Sequence, residues 1–189
     1  MRAYLDETTK DLLRFLDRLD LSYVIAGGYP RDLYFGIEPK DMDIAVFNHT
    51  QEAVDRLREF LLKHKMEGVE HTNGASMANE DIRIDLVIST NDDYAYDFIF
   101  WGKQYTTWQD VIAQFDVNLN QFILRLGSDY VEPIYCGTDF GNLVEIRGDI
   151  PTTATDHRRY KMQQKALSLG WEVDNLIDNP ERDPLEKSL

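Results

Sequence analysis

"AGGYPRDLYFGIEPKDMDIAV", residues 26–46, lies between two apolar runs, and its reading decides the fold. Two glycines open it, Arg31 and Asp32 follow, and Asp41-Met42-Asp43 lead into an apolar strand. Alternate strand residues point to the same side, so Asp41 and Asp43 aim together while Met42 turns into the core. Two carboxylates that close repel, which raises the pKa of one unless a cation neutralises them. Magnesium suits the pair, being a hard ion partial to carboxylate and phosphate oxygens. Gly27 and Gly28 sit after a strand and before a helix, where backbone N–H groups can approach phosphate oxygens and the helix start adds favourable partial charge. Arg31, one turn in, adds a forked contact to the same phosphates. The stretch reads as a phosphate cradle and a metal seat a strand apart. Each piece also has a plain structural reading, as a tight turn, a solvated strand edge and a surface Arg31–Asp32 pair. The order and spacing of all of them together favour the functional one.

A third acid appears in "RIDLVIS", where Asp85 alternates with Ile84 and Leu86 and so leaves the apolar face. If that strand lies beside the Asp41–Asp43 strand, three carboxylates converge. Three acids can hold two metals about 3.5–4 Å apart, the clamp used for in-line phosphoryl transfer. One metal would activate an attacking hydroxyl, and the other would steady a triphosphate and its leaving pyrophosphate.

The totals fit this chemistry. With 189 residues and 43 % apolar content, including 9 Phe, 10 Tyr and 3 Trp, the chain can build the core of one domain with a small appendage. No apolar run is long enough to span a membrane, and "MRAYLDETTKDLLRFLDRLD" is too charged for a secretory signal. A single cysteine, Cys136, excludes an internal disulfide and a zinc cluster and reads as a small buried hydrophobe. A cytoplasmic setting is expected. Net charge is −14, a field that repels phosphate backbones and weighs against a large polynucleotide substrate. A nucleotide remains compatible, because metal ions can supply positive charge.

Along the chain, Leu12, Leu13, Phe15, Leu16 and Leu19 mark a helix within residues 6–19. "SYVIAGG" predicts a buried strand, residues 30–35 a brief helix ended by Gly36, and "DMDIAVF" a second strand. Thr50 caps the amphipathic helix "TQEAVDRLREFLLKHK". "VEHT" and "DIRIDLVIST" predict strands joined by the turn-rich "NGASMANED". The aromatic cluster Tyr94, Tyr96, Phe98, Phe100 and Trp101 reads as core or interface rather than a base-stacking platform. "GSD" makes a hairpin turn into "YVEPIY", and residues 153–169 predict a helix stopped by Gly170. The four histidines are scattered surface residues without metal-ligand spacing.

"GGYPRD…KDMDIAV" resembles the Gly-Gly-x-x-Arg-Asp…Asp-x-Asp signature of the polymerase-β-like nucleotidyltransferases. Within that superfamily the chain is most similar to the class II tRNA nucleotidyltransferases (CCA-adding enzymes) and bacterial poly(A) polymerases. "AQFDVNLNQFIL" is similar to their Arg-Arg-Asp-Phe-Thr-Ile-Asn segment, with Asp116 and Asn120 on its Asp and Asn. "TDHRRYKMQQKALSLGW" is similar to their Glu-Asp-x-x-Arg helix, with Asp156 and Arg159 on its Asp and Arg. The likeness spans roughly residues 21–171. It implies an α+β fold, a small mixed sheet backed by helices (head, 1–135) followed by a short helical neck-like segment (136–175) and an acidic tail (176–189). It further implies metal binding by Asp41, Asp43 and, as third acid, Asp85, and triphosphate binding by Gly27, Gly28 and Arg31. Asp116 would sit near the sugar, and Asp156 and Arg159 would offer hydrogen-bonding edges to a base. Two Mg²⁺ and a nucleoside triphosphate, ATP or CTP, are the implied cofactor and substrate.

Three departures qualify the likeness. The family's paired arginines before Asp116 are Gln114 and Phe115 here, its Glu before Asp156 is Thr155, and its later tRNA-holding domains have no counterpart in this sequence. CCA addition by this chain alone is therefore not expected. The expected activity moves a nucleoside monophosphate from a triphosphate to a hydroxyl on a short RNA end, a small molecule or a protein. Two alternatives stay open: an aminoglycoside-type nucleotidyltransferase, whose polycationic substrate an acidic surface suits, and a non-catalytic acidic module that docks on a protein partner. Residues 156–165 also read as a surface helix laddered by ion pairs, and Asn118 and Asn120 as turn residues.

Overall fold

A computed structural model describes residues 3–19, 21–66, 68–72, 84–90, 95–128, 130–146 and 152–180. Asp6 starts the first helix, α1 (Glu7–Leu16), its carboxylate accepting from the Thr9 N–H at 2.8 Å. The strand β1 (Ser22–Ile25) runs into α2 (Gly28–Tyr34), and β2 (Asp41–Phe47) returns antiparallel to β1. Thr50 caps α3 (Gln51–Lys63), accepting from the Ala53 N–H at 3.2 Å. Then come β3 (Gly68–Thr72), β4 (Ile84–Thr90) and β5 (Ala95–Trp101). The expected turn at 73–81 and the start of its following strand, 81–83, lie outside the described residues, as does Tyr94.

The aromatic segment is a strand, and it sits in the middle of the molecule. The sheet order is β1-β2-β5-β4-β3, with β2 and β5 parallel and the remaining pairs antiparallel. In β5, Tyr96, Phe98 and Phe100 alternate onto one face, each 2 % exposed or less, beside Met42, Ile44 and Val46 of β2. Helices α1 and α3 cover that face through Leu12, Leu16 and Leu57, and Phe15 stacks on Phe60 at 4.1 Å. Each large side chain so buried contributes about 1.5–3 kcal/mol. A buried hydroxyl pair also pins helix to sheet, Thr9 Oγ1 to Tyr96 Oη at 2.6 Å. On the opposite face, the short α4 (Trp108–Ile112) packs Val111 and Ile112 with Ala45, Phe47 and Trp101.

The hairpin β6 (Phe122–Leu126) and β7 (Val131–Tyr135) docks at the end of β1, where the Gly27 N–H donates to the Phe122 carbonyl at 2.9 Å. A 3₁₀ turn, Asn118–Asn120, leads into the hairpin. The last helix, α5 (Thr152–Ser168), closes the molecule, with Met162, Ala166 and the following Trp171 buried among Val117, Leu119 and Phe122. Gly170, at φ 77°, takes the left-handed conformation that stops it. The architecture is α+β: a five-stranded mixed sheet backed by helices, with a hairpin and α5 beyond it. Residues 181–189 of the expected acidic tail lie outside the described residues. Among the described residues no helix is long and apolar enough to cross a membrane.

Candidate active site

The parallel pairing of β2 and β5 brings acids together. Asp43 pairs in register with Asp97, and Asp41 with Ala95, so Asp41, Asp43 and Asp97 share the sheet face turned from Met42 and Phe98. Asp43 pays for this position. Burial, then the charges of Asp41 and Asp97, push its carboxyl up to about 7, with Arg158 and Arg31 offsetting part of the rise.

The strand that carries Asp85 does not lie beside β2. The convergence of Asp85 required its strand to lie beside β2, but β5 separates β4 from β2. The flanking pairs Ile84–Trp101 and Leu86–Phe100 also set Asp85 three to four residues beyond Asp97 along β5, at an irregularity in the pairing. That is about 10 Å along the strand. The side chain of Asp85 is itself outside the described residues. Asp97 was missed because its segment was not read as a strand. The signal was present in "AYDFIFW", whose aromatic residues recur every second position.

Gly27 is required by both geometry and space. It caps α2 at φ 86° and ψ −130°, and a Cβ there would sit 3.3 Å from Asp43 Oδ2. Its N–H, expected to face a phosphate, is instead committed to Phe122. A Cβ on Gly28 would lie 3.5 Å from Arg31 Nη2, so the two glycines separate the Asp43 carboxylate from the Arg31 guanidinium.

Arg31 is buried, not a surface ion. Its Nε donates to Asp32 Oδ1 and its Nη1 to Asn120 Oδ1, both at 2.8 Å. The Asn120 amide donates onward to Asp116 Oδ1 at 3.1 Å, and Arg158 Nε donates to Asp116 Oδ2 at 2.7 Å. Burial works to raise the Asp116 pKa, but the Arg158 hydrogen bond and charge, the Asn120 amide and the Val117 N–H hold it below the usual carboxylate range. Asn120 thus bridges the site, whereas Asn118 is structural. The Asn118 amide donates to the Thr138 and Asn142 carbonyls and its Oδ1 accepts from the Val144 N–H.

Arg31, Asp41, Asp43, Asp116 and Asn120 line one cleft of about 260 Å³. Asp41, Asp43 and Gly27 form one side, and Arg31, Arg158 and Lys161 supply positive charge, with Phe115 and Met162 as apolar wall. Asp156 and Arg159, expected to read a base, do not line it. Arg159 forms a forked pair with Glu145, and the Asp156 side chain is 60 % exposed. From the sequence, Arg158 and Lys161 read only as part of an ion-paired surface ladder, and Arg158 does pair with an acid, Asp116, at the cleft. Arg158 and Lys161 share a face of α5 with Met162 and Lys165, at a spacing of three, four and seven residues that places side chains on one side of a helix.

Asp41 and Asp43 are the pair best placed for a divalent cation. Among the described residues no group of three or more His, Cys, Asp or Glu side chains closes a metal site unaided. That suits magnesium, which takes one or two carboxylates and completes its shell with water and phosphate oxygens.

No protein-family model and no curated protein matches the chain. Solved structures do. A Thermotoga maritima CCA-adding enzyme complexed with tRNA is 15 % identical, with a TM-score of 0.61 over 97 % of this chain and 42 % of that one. A CCA-adding enzyme in complex with ATP is 14 % identical, with a TM-score of 0.57 over 90 % of this chain and 41 % of its own. A tRNA-processing enzyme in an apo form is also 14 % identical, with a TM-score of 0.60 over 93 % and 46 %. The chain therefore spans less than half the length of these structures. At such identities the likeness is one of fold: this chain shares the fold of less than half of each of these CCA-adding and tRNA-processing enzymes.

Proposed function

We propose that the protein is a nucleotidyltransferase that moves a nucleoside monophosphate from a nucleoside triphosphate to an acceptor hydroxyl. In this reading residues 1–135 form the catalytic head and 136–175 a neck that closes the cleft. Asp41 and Asp43 would hold magnesium, and Asp97, beside Asp43 on the same sheet face but outside the cleft lining, adds negative charge behind them. Held by these two carboxylates, the ion would supply Lewis-acid chemistry to the acceptor hydroxyl and charge compensation to the leaving pyrophosphate. Arg31, Arg158 and Lys161 hold the triphosphate from the opposite side, the last two standing in for the paired arginines replaced by Gln114 and Phe115. Asp116 and Asn120 lie where a sugar would pass. The acceptor oxygen forms its bond to the α-phosphorus as the bond to the pyrophosphate oxygen breaks, and the hydroxyl proton leaves to the acidic floor.

The observation that carries the proposal is the juxtaposition of the raised Asp43 carboxyl with buried Arg31 across two glycines. Opposite charges held apart in one cleft suit a ligand that is itself anionic and metal-bound. The solved structures with this fold include complexes with ATP and with CTP, which makes either nucleotide a candidate. The acceptor, an RNA end, small molecule or protein, is open. Incubation with each α-labelled nucleoside triphosphate, Mg²⁺ and total cell extract should label one class of acceptor. Absence of label together with absence of Mg²⁺-dependent nucleotide heat in calorimetry would defeat the proposal and leave an acidic binding module.

A further inference from the structure

One cation near the cleft lies outside its lining. Lys165 stands two turns beyond Arg158 on α5, with its side chain only 25 % exposed. Its Nζ is 3.0 Å from Asp32 Oδ1, the same oxygen that accepts from Arg31 Nε at 2.8 Å. Asp32 and Arg31 are more covered still, at 15 % and 9 % side-chain exposure. Two cations therefore share one carboxylate in a largely dry setting.

The charge count gives this arrangement a consequence. Arg31 and Asp32 alone make a neutral pair, and a neutral pair attracts an anion weakly. With Lys165 the group carries net +1, so Asp32 can fix the guanidinium without cancelling it. Nε is held by Asp32 and Nη1 by Asn120, while Nη2 lies beside Gly28, itself part of the cleft lining. Lys165 also ties α5 to α2, the two elements that carry Arg158 and Arg31.

We propose that Lys165 is a positioning residue. By neutralising Asp32 it keeps the Arg31 charge available to a di- or triphosphate in the cleft, and it holds the guanidinium in its orientation. The identity of the anion rests on the proposed transferase function, but the effect on Arg31 does not. The test uses the full chain as wild type, Lys165→Met and Lys165→Arg, with inorganic pyrophosphate as probe in low-salt calorimetry. Exchange of the Arg31 Nε–H is followed by NMR, and KM and kcat are measured for nucleotide transfer. Lys165→Met should weaken pyrophosphate binding about tenfold, which is about 1.4 kcal/mol, and should speed Nε–H exchange. KM should rise in proportion while kcat stays within about threefold, and Lys165→Arg should restore both binding and exchange.

Lower thermal stability with unchanged pyrophosphate affinity and unchanged Nε–H exchange would overturn the proposal, making Lys165 a tether only. A wild type that binds no pyrophosphate would overturn it equally. If wild type binds pyrophosphate, Lys165→Met loses it and neither transfers nucleotide, the transferase reading fails and the positioning role stands.

Discussion

Asp43→Asn should make the metal-free protein more stable while removing nucleotide transfer. The Asp43 carboxyl is raised from 3.8 to about 7 by burial and by its acidic neighbours Asp41 and Asp97. Because the native state keeps this proton to higher pH than the unfolded state, stability falls as pH rises from about 4 to about 7 and the loss is complete above that range. A shift of three pKa units corresponds to about 4 kcal/mol, and water entering at the open mouth of the cleft reduces this to about 2 kcal/mol. Asparagine matches the shape of the protonated acid and carries no charge. Urea denaturation with chelator should therefore show the variant about 2 kcal/mol more stable than wild type at pH 8 and nearly equal to it only below about pH 4. Adding Mg²⁺ should raise the wild-type midpoint at pH 8 and leave the variant unmoved. A variant less stable than wild type at pH 8, or a wild type whose stability is flat between pH 5 and 8, refutes the picture of a strained acidic floor.

Other consequences can be checked separately. Gly27→Ala places a Cβ 3.3 Å from Asp43 Oδ2 at φ 86° and should cost about 1–2 kcal/mol; full transfer activity in that variant would mean the backbone there tolerates a shift. Asp116 has its pKa depressed in the native state, so its contribution is present above the ordinary carboxylate range and lost as pH falls through the lowered value. With Arg158 about half exposed, that contribution is about 1 kcal/mol, and Asp116→Asn should remove it at pH 7 and flatten the acid limb of a urea midpoint–pH curve. Arg158→Met should weaken nucleotide binding about tenfold, whereas Arg159→Met, whose guanidinium is tied to Glu145 away from the cleft, should change it less than about twofold. The reverse ranking in a titration would reassign the α5 wall.

The parts of the site legible in the sequence were the local ones. "DMDIAVF" alternates acid and apolar residues strictly enough to fix both the strand and the shared face of Asp41 and Asp43. The glycine pair between strand and helix marked the turn, and Thr50 and Gly170 marked helix ends. What escaped was set by pairing between distant segments. Nothing within "RIDLVIS" or "AYDFIFW" states which of them neighbours β2, and that choice decides between Asp85 and Asp97. The α5 wall failed for a different reason. Successive helix residues turn by about 100°, so a one-residue difference, Arg159 against Arg158, moves a guanidinium from the cleft to the Glu145 side. The alternative of Arg31 and Asp32 as a surface pair could not be dismissed locally, because α5, whose Lys165 reaches Asp32, starts more than a hundred residues later.

The same arginines appear on both sides of the electrostatic balance, and this bears on how the cleft survives without a ligand. Arg31 and Arg158 are the groups that hold the Asp43 pKa down against burial and its two acidic neighbours. They are also the cations that the proposed triphosphate would meet. Metal and nucleotide must then act together: phosphate alone would draw the arginines from the acids and leave the floor uncompensated, and metal alone would relieve the floor and leave the cations without a partner. A metal–nucleotide complex satisfies both walls at once. The overall charge of −14 does not oppose this, since charges beyond about 8–10 Å are screened at physiological salt while the cleft cations act at contact. A polynucleotide running past the mouth would have no such shelter from a net charge of −14. The charge pattern thus favours the small anion over the long one.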